Sequence, residues 1–335
     1  MHLWTLLVGL IAVSACSSES SKAVDGLGID SERYVDMASV DNVRTVPDMI
    51  ADASETFADT VVTALPCPVF VDGAEVGKVE HVMLTEISGL AASRTWSGVL
   101  WAHNDSGDVA NLYALTTAGE HLGIYQLQID NPLDCEAMSL GPGPEGKSEL
   151  LYLADIGDNL LYRKTILVHR VSEPTVNLVS ENEFALVESV TTLEFVYGDG
   201  QAHDAEAYFV DPLTDHHFIV EKVGDTTSIV FRAVVADGST SGVFEPVATV
   251  PVGLVTAADI TVDGGMVMVK SYFENYLWVR QTGESLVETF MRAPCPVPII
   301  LEPQGEAIAF APDGAGYYTV SEGASQPIYY YGLTD

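Results

Sequence analysis

From Cys67 onward the apolar residues fall into short runs, alternating or continuous, separated by Gly, Pro, Asn and Asp. That pattern predicts β-strands joined by turns, with no further helix. Upstream the pattern changes. Ile50, Ala53, Phe57, Val61 and Leu65 recur at helical spacing between Pro47 and Pro66, which predicts one amphipathic helix over 47–66. Residues 16–46 are rich in Ser, Asp and Gly without sustained periodicity and read as a flexible tether. Leu3 to Val13 is an apolar run too short to span a bilayer, and it ends in small residues as a cleavable signal does.

Within the strand-rich part, 67–335, five stretches align: Glu86-Ile87-Ser88-Gly89-Leu90, Asp134-Cys135-Glu136-Ala137-Met138, Asp204-Ala205-Glu206-Ala207-Tyr208, Ala257-Ala258-Asp259-Ile260-Thr261 and Gln304-Gly305-Glu306-Ala307-Ile308. Each opens a strand. A second strand follows, ending near an acid in most copies (Asp105, Asp155, Glu221, Glu322), and then a third such as Leu112-Tyr113-Ala114-Leu115 or Ile328-Tyr329-Tyr330-Tyr331. Counted from Ser88, the intervals to Glu136, Glu206, Asp259 and Glu306 are 48, 70, 53 and 47 residues, near the length of one four-stranded propeller blade. The expected fold is therefore all-β, a β-propeller with five recognisable blades, the long interval leaving room for a sixth. A strand around Val69 to Val71 is expected to complete the last blade.

Composition narrows the function. With 47% hydrophobic residues the chain can build a real core, and 48 acidic against 14 basic side chains give a net charge of −34. Such a surface repels phosphate backbones, so no nucleic-acid partner is expected. The expected partners are the membrane, through an N-terminal lipid, and a ligand or protein, with the chain itself a monomer.

Cysteines refine the location. Val13-Ser14-Ala15-Cys16 resembles the bacterial lipobox, which implies a signal peptide over 1–15, lipidation at Cys16 and an exported protein held at the cell envelope; Ser17 in place of Asp points to the outer membrane in a Gram-negative cell. Cys67 and Cys295 sit in identical Pro-Cys-Pro-Val settings near the two ends of the folded part and are candidates for a disulfide. Cys135, between Asp134 and Glu136, reads as a small buried hydrophobe.

The Asp-x-Glu-Ala and Gly-Glu-Ala-Ile-Ala elements, with Ala311-Pro312-Asp313-Gly314 and Thr319-Val320-Ser321-Glu322-Gly323, resemble exported bacterial propellers of the esterase-like phytase and SdiA-regulated type. The resemblance implies a calcium-dependent hydrolase with Glu136, Glu206 and Glu306 as ligands or general base. The residues alone suggest a different emphasis. Asp134, Glu136, Asp204, Glu206, Asp259 and Glu306 offer hard oxygens for a divalent cation, calcium best of all, with Asp105, Asp155, Glu221 and Glu322 as weaker substrate contacts. Few basic residues accompany them, which favours ligand or partner binding over hydrolysis of a highly anionic substrate. Lys222 and Lys270 are placed to neutralise part of the cluster, Arg163 and Arg170 to pair with Asp155 and Asp158 in preference to contacting an anionic substrate group, and His203 is the histidine best placed to join a site.

Overall fold

Continuous apolar runs of this length become strands buried on both faces, because successive side chains point to opposite sides and each side then needs its own core. The computed structural model describes residues 65–334 apart from 106, 145–148, 179–182 and 225. The signal peptide, Cys16, the tether and all but the last two residues of the expected helix lie outside the described residues.

The chain enters at β1 (Ala74–Lys78) and then makes a four-stranded antiparallel unit from β2 (Ile87–Ala92), β3 (Val99–Asn104), β4 (Asn111–Thr116) and β5 (His121–Leu127). The second unit contains β6 (Cys135–Pro142), β7 (Glu149–Asp155), β8 (Ile166–Ser172) and β10 (Thr191–Tyr197), with β9 (Glu183–Val187) leaving it to pair in parallel with β5 of the first. The third comprises β11 (Ala205–Val210), β12 (His217–Glu221), β13 (Ser228–Ala233) and β14 (Ser241–Val250), whose outer strand pairs in parallel with β10. The fourth holds β15 (Val255–Ile260), β16 (Met266–Ser271), β17 (Asn275–Val279) and β18 (Cys295–Val297), and the last has β19 (Gly305–Phe310), β20 (Gly316–Ser321) and β21 (Pro327–Gly332). β1 supplies its fourth strand, Ala74 opposite Tyr330 and Lys78 opposite Pro327.

The five first strands are buried at every position. Each lies beside the next in a closed cycle, β2 to β6 to β11 to β15 to β19 and back to β2. Their alternating side chains feed five apolar clusters, one between each neighbouring pair of units. Met138 packs with Trp101 and Leu112 on one side, for example, while Ala137 packs with Phe195 and Tyr208 on the other. The remaining junctions centre on Trp278 with Phe209, on Tyr317 with Leu277, and on Leu100 with Ala309.

Three expectations are corrected. Among the described residues the long interval between Glu136 and Glu206 forms no sheet of its own; its extra strand, β9, joins the preceding sheet. The strand that completes the last sheet is 74–78. Val69 to Val71 make only an isolated bridge to the C-terminal segment, Phe70 opposite Leu333 with the Val71 amide donating to Gly332 and the Thr334 amide to Val69, and the Val69 and Val71 side chains are exposed. A short helix, α1 (Leu286–Phe290), interrupts the fourth unit; a capping box between Ser285 and Glu288 starts it, and Leu286 and Phe290 bury against Trp278. So short a helix carries too little periodicity to be read from sequence.

Cys67 and Cys295 form a disulfide with Cα atoms 5.5 Å apart. It fastens the segment entering β1 to the outer strand of the fourth unit, so it holds the closing strand in place without spanning the β1–β21 seam. The bond encloses 228 residues of sequence separation, and loop entropy alone then predicts roughly 5 kcal/mol. Reduction, or the double change Cys67→Ser/Cys295→Ser, is expected to lower stability by about 2–5 kcal/mol in denaturant titrations; an unchanged midpoint would show that β1–β21 pairing suffices.

Candidate functional site

Each first strand carries a β-bulge at the same place. The register with the second strand slips between Ile87 and Gly89, Cys135 and Ala137, Ala205 and Ala207, Val255 and Ala257, and Gly305 and Ala307. The residue left without a partner is Ser88, Glu136, Glu206, Thr256 or Glu306. A bulge re-aims the side chain it carries, and here it sets five equivalent side chains at one end of the closed cycle. The second strands end at that same level. Asn104, Asp155, Glu221, Ser271 and Ser321 lie opposite the residue before each bulge or are followed directly by Asp105, Ile156, Lys222, Tyr272 and Glu322.

The period-2 rule separates the predicted acids. Asp105 and Glu322, just past their strands, join the bulge carboxylates. Asp155 and Glu221, one position earlier, face the other way and serve the scaffold. Asp155 accepts from the Leu133 and Asp134 amides and pairs with Arg163 (Nη1 to Oδ1, 2.8 Å). Glu221 accepts from the Ile229 amide and meets His203 Nδ1 at 2.8 Å, while His203 Nε2 lies 3.0 Å from Asp199. His203 thus has both ring nitrogens engaged away from the carboxylate cluster.

Around the mouth the carboxylates interact in a circuit: Asp105 with Glu136, Glu136 with Glu206, Glu206 with Glu306, Glu306 with Glu322, and Glu322 with Asp105. Burial, then Glu206, Asp105 and Asp134, push Glu136 up to about 10, despite a hydrogen bond from Ser88 Oγ at 2.9 Å. Burial and the Glu306 and Asp204 charges raise Glu206 to about 8 against the opposing pull of Lys222, whose Nζ lies 2.9 Å from Oε1. Burial and Glu306 raise Glu322 to about 9. Tyr272 bridges the circuit, accepting from Lys222 at 3.1 Å and donating to Glu306 Oε1.

One sector is tighter than the rest. Asp105, Asp134 and Glu136 each offer an oxygen within 4.8 Å of the others. Asp134 and Glu136 sit over Gly157, where a Cβ would come within 2.5 Å of Asp134 Oδ2 and 2.6 Å of Glu136 Oε1. Arg163 holds that floor by donating to the Gly157 and Asp155 carbonyls, so it does pair with Asp155 as its position suggested. Asp204 lies next door, with Oδ1 accepting from the Asp158 amide at 2.8 Å.

Other candidates lie elsewhere. Asp259 is three residues past the fourth bulge, near the far end of its strand, where it accepts from the Phe310 amide at 2.7 Å and the Ile260 amide at 2.8 Å. Alignment on acids chose it, but the structural equivalent is Thr256. Lys270 is fully buried and donates to the Gly305 and Ser271 carbonyls, 4.0 Å from Glu302, so it braces the backbone below the mouth, while its charge also acts on Glu306. Cys135 is buried, and desolvation raises its thiol well above the ordinary range, as befits a small hydrophobe. Sequence reasoning missed Tyr272, Thr256 and Gly157; the first two become visible only once the strands are aligned on their bulges.

No protein-family model matches the sequence, and no curated protein matches it. Among solved structures it is similar to a crystal structure of glucose dehydrogenase, with a TM-score of 0.45 and 8% identity over 79% of this chain and 100% of that one. A likeness of that size says nothing of activity.

The raised carboxyls fix the sign of a pH effect. A Glu held protonated in the fold but ionised when unfolded favours the fold at low pH, and that contribution is lost as pH rises from about 4.5 through the folded values of about 8 to 10. With a chelator present, the melting temperature is expected to fall from mildly acidic to alkaline pH, and Glu136→Gln to flatten the fall. Equal slopes in the two proteins would contradict the assignment.

Proposed function

We propose that this chain is an exported five-bladed β-propeller that binds a divalent cation at its acidic mouth and, through it, a ligand or protein partner. The five four-stranded units, the closed cycle of first strands and the five inter-unit clusters support the blade count. The cation reading rests on the convergence of Asp105, Asp134 and Glu136, with Asp134 and Glu136 seated over Gly157. Two ionised carboxylates about 5 Å apart repel by roughly 3 kcal/mol at an effective dielectric of 20, so the cluster ionises fully only with a counter-charge. Oxygens on opposite sides of a calcium ion are separated by roughly 4.6–5.2 Å, which accommodates the 4.8 Å spread. All three donors are hard carboxylate oxygens, which selects calcium over softer ions. Bound there, the ion would supply positive charge able to attract an anionic group of a ligand.

The hydrolase reading is weaker. Among the described basic side chains around the mouth, Lys222 is committed to Glu206, Arg163 to Asp155, and the buried Lys270 to the Gly305 and Ser271 carbonyls, which leaves little to hold a multiply phosphorylated substrate. The binding reading predicts that calcium raises the melting temperature, by an amount equivalent to about 2.7 kcal/mol at a hundredfold excess over Kd. Asp134→Asn and Glu136→Gln should abolish the rise and Asp259→Asn should keep it. No rise at millimolar calcium, or a rise undiminished in the first two variants, removes the site. Turnover of carboxyl or phosphate esters that is lost in Glu136→Gln and Glu206→Gln would instead favour the hydrolase.

Export and anchoring rest on the lipobox-like Val13-Ser14-Ala15-Cys16, and the disulfide accords with an oxidising compartment. Mass spectrometry of the mature protein is expected to find a diacylated Cys16 as the first residue; an unmodified thiol there, or cleavage elsewhere, would leave the propeller without its anchor.

A further inference from the structure

Away from the mouth, where the second and third units share one sheet, a cavity of about 180 Å³ opens between β7, β8, β12 and the 235–240 turn. Its chemistry is unusual for so acidic a protein. Arg94, Arg163, Arg280 and Arg292 each lie on a carboxylate. Arg170, half-buried in this wall, forms no ion pair with a described carboxylate; its side chain donates to Tyr152, whose hydroxyl donates to the Pro142 carbonyl at 2.6 Å. It was expected to pair with Asp155 or Asp158, yet alternation along β8 turns it to the outer side.

Beside it is His217, buried, with Nδ1 2.6 Å from the hydroxyl of Tyr208. Tyr208 is itself fully buried, and donating to Nδ1 satisfies its proton; the imidazole proton then belongs on Nε2. Burial and the adjacent Arg170 charge keep the ring neutral, its pKa lowered to about 3. This wall therefore offers a guanidinium and a ring N–H, both donors.

The cavity is also lined by Asp215 and Asp237. Asp215 is held in a left-handed conformation (φ 58°) at the tip of a turn whose amides bond back to Asp211, and Asp211 is anchored by Arg280 at 2.7 Å. The acid's position is thus preset by the fold. A simple anion would meet these two carboxylates, and a simple cation would meet Arg170. A molecule carrying both charges satisfies both.

We propose that this cavity is a second binding site, for a small zwitterion of the α-amino-acid class, its carboxylate on Arg170 and His217 and its ammonium on Asp215 and Asp237. A volume of about 180 Å³ is ample for a small amino acid. The site is independent of the mouth and of any cation there.

Titration calorimetry on the full chain with glycine, L-alanine and L-aspartate tests it, with propionate and L-alaninamide as probes bearing only one of the two charges. At least one amino acid is expected to bind saturably, and both single-charge probes at least about tenfold more weakly. Arg170→Gln and Asp237→Asn should each weaken binding by about tenfold or more. Asp237 is exposed, so its variant keeps the test valid should Arg170→Gln misfold, and calcium-induced stabilisation should persist in both. No saturable binding by any of the three amino acids at millimolar concentration, binding by propionate as tight as by alanine, or undiminished binding in Asp237→Asn overturns the proposal.

Discussion

Burial of the first strand of each unit on both faces is the constraint from which the other features follow. A strand such as β6 cannot be stable at the edge of a single sheet, since Ala137 and Met138 need separate apolar neighbours on opposite sides. Each unit must therefore stand between two others, and an open row would leave its end faces wet. Closure solves this, and the chain achieves it by sending β1 back to β21 and fixing the approach to β1 with the Cys67–Cys295 bond. The links between β5 and β9 and between β10 and β14 add backbone pairing at the outer edges of the first three units.

Closure has an electrostatic consequence. Five equivalent bulges put five side chains around one opening, and three of them are glutamates. The residues following the second strands add Asp105 and Glu322, while only Lys222 contributes a cation among these equivalent positions. Hydrogen bonds from Ser88 and Tyr272 offset part of the cost, but burial and the neighbouring charges still hold Glu136, Glu206 and Glu322 well above the usual carboxylate range. The scaffold acids show the contrast: Asp155 and Glu221, one residue away, are met by Arg163, backbone amides and His203.

Gly157 illustrates how tightly the mouth depends on its support. Arg163 is buried below it, clamps its carbonyl, and joins it to Asp155 beneath the Asp134 segment. A buried ion pair of this kind adds little net stability; its contribution is to hold a loop at the distance that lets two carboxylates approach each other.

Much was legible in the chain itself. Short apolar runs and turn residues determined the strands, and five similar elements recurring every 47 to 70 residues between Ser88 and Glu306 revealed the repeat, because side-chain alternation and unit length are local properties. The Pro-Cys-Pro-Val pair marked the disulfide for the same reason. Tertiary structure decided what depended on register. An extra residue in each first strand changes which side chain faces the opening, so Thr256 replaces Asp259 in the ring, Asp105 joins Asp134 and Glu136, and Asp155 and Glu221 turn away. Neither a bulge nor the strand paired with β5 across 60 residues of chain leaves a mark on the hydrophobic pattern, since both are set by hydrogen bonds between segments far apart in sequence.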